Sequence, residues 1–159
     1  MWKAILVPHD FSAGANHALA IARDEAQAHG SQLFVLHVIE LPGPFSVDTV
    51  IISDSTGAPV NARDYAIREA EAHLTDLAER LAKDGVTIRT AIRLGKPTEQ
   101  IEAFARENGI DVIVMGTHGR GGLAHALLGS VTERIVRTSN VPVLTIRHPE
   151  EVSDRRRAA

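Results

Sequence analysis

At 159 residues the chain matches the commonest domain size, so one compact domain burying roughly 70% of its unfolded surface is expected. Apolar residues make up 44% and charged residues 23%, a globular balance that argues against disorder, and zero cysteines exclude disulfides, thiolate metal sites and a cysteine nucleophile. A net charge of −3 from 17 basic and 20 acidic residues gives no broad positive field for nucleic acid.

The first strand is predicted at Ala4-Ile5-Leu6-Val7, a run that breaks at Pro8-His9-Asp10 and is too short for a signal-peptide core or a membrane span. Ser12 is placed to cap a helix whose apolar stripe is Ala15, Ala18, Leu19, Ala22 and Ala26. A second strand follows over Leu33 to Ile39. Leu41 to Asn61 then breaks the spacing, with Pro42, Pro44, Gly57 and Pro59 around the apolar run Val47 to Ile52. It reads either as a surface excursion with a short extended piece or as a lid or dimer contact, and the residues do not choose between them. Ile67, Ala70, Leu74, Leu77 and Leu81 mark the next helix, and Val86 to Ile92 the third strand. Pro97 suits a first helical turn, leading into Ile101, Phe104 and Ala105 and a stop near Asn108-Gly109. Val112 to Met115 is the fourth strand, a helix runs through Ile135 and Val136, and Val141 to Ile146 is the fifth strand. The domain is expected over residues 1–147, with 148–159 a short solvated C-terminal tail.

The five apolar runs are continuous more than alternating, which means strands covered on both faces. Strand alternating with helix implies parallel βαβ crossovers, and so an α/β fold with one open sheet and helices on both sides. Ligands of such sheets bind beyond the carboxyl ends of the strands, here after Val7, Ile39 and Met115.

The strongest local signal is Gly116-Thr117-His118-Gly119-Arg120-Gly121-Gly122, leading to Gly129-Ser130-Val131-Thr132, with five glycines in fourteen positions. Gly116 and Gly119 suit a backbone that exposes amides to an anion, and Gly129 interrupts an apolar run at Leu127-Leu128. Ser130-Val131-Thr132-Glu133 reads as a capping box opening a helix, so a glycine loop and a helix start converge on a phosphate site. A Ser130 hydroxyl spent on its own helix is less available to a ligand. Two other phosphate motifs fail. Gly95-Lys96-Pro97-Thr98 has Thr90 where a P-loop needs glycine and Pro97 where it needs Ser or Thr. Gly119-Arg120-Gly121-Gly122-Leu123-Ala124 follows the fourth strand instead of the first, against a dinucleotide fold.

Asp10 stands at the first carboxyl end, where a carboxylate can accept from a ribose hydroxyl or an adenine amino group, help hold a metal on phosphates, or simply serve the turn. Val38, closing the second strand, has backbone groups to offer a flat base. His9, His118 and His125 are the histidines able to approach one another, but no pair has the helical spacing of a dedicated zinc site, while Mg²⁺ arriving with a nucleotide needs few protein ligands.

At this point the chain resembles the universal stress proteins in their ATP-binding branch. Gly116-x-x-Gly119, nine residues, Gly129-Ser130 agrees with that branch's G-2x-G-9x-G-(S/T) signature at every fixed position. The resemblance extends through Ile5-Leu6-Val7-Pro8-His9-Asp10-Phe11-Ser12 and Asn140-Val141-Pro142-Val143-Leu144. It implies a Rossmann-like, adenine nucleotide alpha hydrolase type of fold, with five parallel strands in order 3-2-1-4-5 and ATP, with Mg²⁺, between strands one and four. It carries contacts onto Pro8, Asp10 and Val38 for base and ribose, and onto Met115, Gly116, His118, Gly119, Gly129, Ser130, Val131 and Thr132 for ribose and phosphates. Arg120 is the one side chain of the Arg120–Leu128 stretch expected to contribute.

Pro142 cannot donate a ladder hydrogen bond, which places the last strand at a sheet edge, yet Val141, Val143, Leu144 and Ile146 make that edge apolar. The family resemblance implies a homodimer through this strand. The leading expectation is a cytoplasmic, dimeric ATP-binding protein of regulatory or stress-response role, with no nucleic-acid or membrane partner. The alternative is a slow Mg-dependent ATP hydrolase or a nucleotidyl or phosphoryl transferase, with Asp10 holding Mg²⁺ and Arg120 or His118 facing the γ-phosphate; the missing P-loop lysine and general base weigh against it.

Overall fold

The computed structural model describes residues 1–41, 49–54, 56–117 and 128–147. In chain order the elements are β1 (Ala4–Pro8), α1 (Ala13–His29), β2 (Gln32–Ile39), β3 (Val50–Ile52), β4 (Pro59–Asn61), α2 (Ala62–Ala82), β5 (Ile88–Leu94), α3 (Pro97–Glu107), β6 (Val112–Gly116), α4 (Ser130–Thr138) and β7 (Val143–Ile146). Five of the strands form one parallel sheet in the order β5-β2-β1-β6-β7. Counted along the main sheet alone, this is the expected order 3-2-1-4-5.

The continuous apolar runs have a simple explanation in the pleat. Ile5, Val7, Leu33, Val35, Val112 and Val114 point to one face, where α1 and α2 bring Ala18, Leu19, Ala22, Ala26, Leu74, Leu77 and Leu81. Leu6, Phe34, Leu36, Ile113 and Met115 point to the other, against Ile101, Phe104 and Ala105 of α3 and Ile135 of α4. Each of the three inner strands β1, β2 and β6 thus feeds two cores, which is why their runs are apolar on both faces. The predicted α1 stripe is buried in full, and Pro97 opens α3 as expected. Ser12 caps α1, its hydroxyl accepting from the Ala15 amide at 3.2 Å. Among the described residues no helix is long and apolar enough to cross a membrane.

Three expectations need adjusting. The third main strand starts at Ile88 and not at Val86; Val86 is buried in the core just ahead of it, and pairing opens where the Leu33 amide donates to Thr87. The last strand spans Val143–Ile146, because Val141 and Pro142 only lead into it, Pro142 accepting from the Ile113 amide at 3.0 Å. The irregular stretch holds more than a single extended piece: Val50–Ile52 pairs antiparallel with Pro59–Asn61, closed by Gly57 in the left-handed region. Residues 42–48 of that stretch lie outside the described residues, as does the predicted tail 148–159.

Candidate nucleotide site

The strand pairings themselves open a crevice. β1 pairs with β2 along its whole length, Ala4 to Pro8, but with β6 only at Ile5↔Val112 and Leu6↔Ile113. The two central strands therefore part before their carboxyl ends. This is also where the topology reverses, since α1 and α2 cover one face and α3 and α4 the other. A reversal point beyond the carboxyl ends is where open parallel sheets hold their ligands.

One wall is the turn after β1. Pro8 ends the strand, and the His9 amide still donates to Leu36 at 2.8 Å. Asp10 folds back on its own turn, Oδ1 accepting from the Ser12 amide at 3.1 Å. Between them Phe11 adopts φ +65, the one described non-glycine residue in the left-handed region.

The second wall is the end of β2, which runs past the end of β1, since Pro8 pairs with Leu36 and the strand continues to Ile39. Leu36 turns its backbone groups toward β1 and Ile39 toward β5, where its carbonyl accepts from Gly95. Strand alternation then aims the N–H and C=O of Val38 to the β1 side, beyond the last residue of that strand. A base edge can be read there by backbone groups alone.

The floor is the end of β6 with the start of α4. Met115 is buried in the second core, so its side chain is spent on packing and only its backbone can meet a ligand. Gly116 has a different reason to be glycine from the one its motif suggests: a Cβ there would stand 2.9 Å from the backbone carbonyl of Gly14. The first turn of α1 rests on it. Thr132 is buried and donates its hydroxyl to the Gly116 carbonyl at 2.9 Å, tying α4 to β6. The Gly129 amide donates to the Thr117 carbonyl at 2.7 Å.

The capping box does not form. Gly129 is the N-cap residue, in extended conformation and with no side-chain cap, and Ser130 is the first helical residue. The first intrahelical bond runs from the Glu133 amide to the Gly129 carbonyl at 2.8 Å, which leaves the amides of Ser130, Val131 and Thr132 without an acceptor inside the helix. The competition expected for the Ser130 hydroxyl is thereby removed; its residue is exposed. These amides and the positive end of the helix suit an oxyanion.

Pro8, Asp10, Val38, Met115, Gly116, Gly129, Ser130, Val131 and Thr132 thus gather around the carboxyl ends of β1, β2 and β6. His118, Gly119 and Arg120, and His125 with them, lie outside the described residues. Among the described residues no three His, Asp or Glu side chains converge to hold a metal ion. Sequence reasoning passed over Phe11 and His37. The one signal for His37 is a basic side chain inside an otherwise apolar strand; Phe11 has none, because phenylalanine is not a turn former.

The universal stress protein family model matches residues 1–147. A universal stress protein of Thermus aquaticus is 37% identical over 148 residues, covering 92% of this chain and 100% of the relative. Universal stress protein MJ0577 of Methanocaldococcus jannaschii is 30% identical over 155 residues, covering 92% and 96%. Its solved structure superposes with a TM-score of 0.78 at 31% identity over 93% of this chain and 97% of that one. Two further solved relatives hold adenine nucleotides: a universal stress protein in complex with cAMP (TM-score 0.63, 25% identity, 92% and 97% covered) and one from Archaeoglobus fulgidus in complex with dAMP (TM-score 0.62, 26%, 91% and 97%).

Proposed function

The chain belongs to the universal stress protein family, and from that premise we propose that it binds ATP in the crevice between β1 and β6 as a regulatory or stress-response ligand. The observation that carries this reading is the parting of β1 from β6 above Leu6 and Ile113, with the amide-rich start of α4 at its base. The base lies against Val38 and Pro8, the ribose near Asp10, and the phosphates on the amides of Ser130, Val131 and Thr132. The complexes of relatives with cAMP and dAMP support an adenine ligand. Asp10 is the site's one described carboxylate, so Mg²⁺ would be held chiefly by phosphate oxygens, with Asp10 as the protein group within the site. Its chemistry when bound is charge neutralisation of those phosphates.

His118, Gly119 and Arg120 complete the proposed phosphate loop from the sequence signature. The transferase alternative would need His118 or Arg120 at the γ-phosphate, and neither lies among the described residues. A homodimer through Val141 to Ile146 and a cytoplasmic setting belong to the same proposal.

Isothermal titration of the full chain with ATP and Mg²⁺ tests it. Saturable binding is expected, and Gly129→Val should weaken it by at least about 100-fold, because the β-branched side chain fills the approach to the α4 amides. Unchanged affinity in that variant would place the ligand elsewhere. Phosphate release near 1 s⁻¹ or faster, inside the usual enzyme range of roughly 1–10³ s⁻¹, would instead make the protein an enzyme.

A further inference from the structure

A left-handed phenylalanine is seldom tolerated without a structure that holds it, and such residues concentrate where a ligand is gripped. Phe11 is held from several sides. Its amide donates to His9 Nδ1 at 3.2 Å. Its ring lies 4.5 Å from that of His37 and 4.9 Å from that of His73, tilted 35° to each, and 5.3 Å edge-on from His9. His37 is itself fixed: it is buried in β2, and its Nδ1 donates to the His9 carbonyl at 2.7 Å. The partners assign the protons. His9 Nδ1 faces an amide N–H and so carries none, while His37 Nδ1 faces a carbonyl and so carries one.

The residue before Phe11 is Asp10, and the residue after it is Ser12, the cap of α1. The φ of Phe11 therefore sets the angle at which the chain leaves β1, where the Asp10 carboxylate stands, and how the first turn of α1 meets Gly116. The Asp10–Ser12 hydrogen bond and the close approach of Gly14 to Gly116 both belong to the segment whose direction this angle sets.

We propose that Phe11 and His37 are positioning residues for the nucleotide: the ring contacts of Phe11 and the His37–His9 hydrogen bond hold the turn after β1 in a left-handed conformation that presets Asp10 for the ribose. The proposal rests on the nucleotide reading above. Neither side chain needs to touch the ligand; both act through the backbone of residues 9–12.

The test separates ring from conformation. Phe11→Ala removes the ring and keeps the penalty of positive φ; Phe11→Gly removes both ring and penalty. ATP affinity should fall about tenfold or more in Phe11→Ala and recover to within about threefold of wild type in Phe11→Gly, since preorganisation and not contact is what was lost. The amide shifts of Asp10, Ser12 and Ala15 in the ligand-free protein should move in Phe11→Ala and return in Phe11→Gly. His37→Phe, which keeps a ring and loses the donor, should move the same shifts and weaken ATP binding. Wild-type affinity in Phe11→Ala would overturn the proposal, and so would a Phe11→Gly variant as weak as Phe11→Ala, which would give the ring a packing or contact role instead. If Phe11→Ala fails to fold, His37→Phe with unmoved shifts overturns it and with moved shifts supports it. Failure of wild type to bind ATP would defeat the nucleotide reading and the ligand role built on it, while the ligand-free shifts still decide what holds the turn.

Discussion

Gly116 and Gly129 sit in the same glycine motif and answer to different forces. Gly129 has an ordinary negative φ of −67 and caps α4 without a side chain, and in the proposed site its smallness leaves the α4 amides open to a ligand. Gly116 is fully enclosed, with Gly14 backbone atoms 2.9 Å from where a Cβ would be. Its smallness matters for how close α1 comes to the sheet. Gly116→Ala should destabilise the ligand-free protein by about 1–3 kcal/mol, the usual cost of overpacking a core that cannot yield. Backbone lines that contact, so no side chain can rotate away. Thr132→Val tests the neighbouring link, since it leaves the Gly116 carbonyl without its 2.9 Å donor, and Thr132→Ser should restore most of the loss. The expected deficit for Thr132→Val is again about 1–3 kcal/mol, read from the shift in urea midpoint at constant slope. Equal midpoints for wild type and both variants would show that the β6–α4 and β6–α1 contacts carry no stability. One glycine of a motif read for phosphate binding is thus architectural, and only the position of α1 reveals which.

Among the elements, what was legible in the sequence depended on whether a single periodicity governed the segment. The main strands and the stripes of α1, α2 and α3 were readable because burial on one or two faces leaves a pattern along the chain: Ala15, Ala18, Leu19, Ala22 and Ala26 are all buried, as are Ile101, Phe104 and Ala105. The β3–β4 hairpin was only half readable, since Pro59-Val60-Asn61 is three residues long, opens on proline and carries no alternation. The start of α4 misled because Ser130 and Glu133 fit a capping box one position away from where the helix begins, and glycine competed successfully for the cap. In the site, glycines and Asp10 were visible as residue types, whereas Phe11 and His37 acquire meaning only through a backbone angle and a contact between strands. One link at the far end of the sheet was equally invisible: Asp111 Oδ2 accepts from the amides of Lys3 at 2.7 Å and Ala4 at 3.0 Å, and its own amide donates to the Ala4 carbonyl. It joins the first residues of β1 to the start of β6. The Lys3 amide first, and the Ala4 amide next, hold the Asp111 carboxyl below its ordinary range. A depressed folded-state value contributes stability that is fully present above the unfolded carboxylate value of about 3.9 and is lost as pH falls through the lower folded value. Because the group is exposed, screening limits the effect to about 1 kcal/mol, or a melting temperature lower by about 2–4 °C for Asp111→Ala at pH 7. That gap should close when the melts are repeated toward pH 3 and below. A gap that is constant with pH would assign the loss to packing and not to the carboxylate.

For the whole molecule, the two edges of the sheet differ in a way that bears on assembly. β5 is one edge, and its register places Arg89, Thr90 and Arg93 among its partly or fully exposed positions; charged arginines guard it against pairing. β7 is the other edge, reading Val143-Leu144-Thr145-Ile146 with no charge, Leu144 39% exposed, and Val136 of α4 45% exposed. An uncharged, apolar edge strand is the surface on which a second copy can add its own β7 about a two-fold axis, covering the β7 edge of each copy at once. The proposed dimer therefore predicts that wild-type protein sediments at twice its 17.1 kDa, and that Leu144→Glu sediments at the monomer mass while keeping the ATP affinity of the crevice, which lies on the far side of β6. One other apolar surface competes for the role: Val50 and Ile52 on β3 are 63% and 64% exposed. Ile52→Lys distinguishes the two, since it should leave the mass unchanged if β7 is the contact. A dimer split by Ile52→Lys but not by Leu144→Glu would move the interface to the hairpin, and a wild-type monomer at tens of micromolar would remove it altogether.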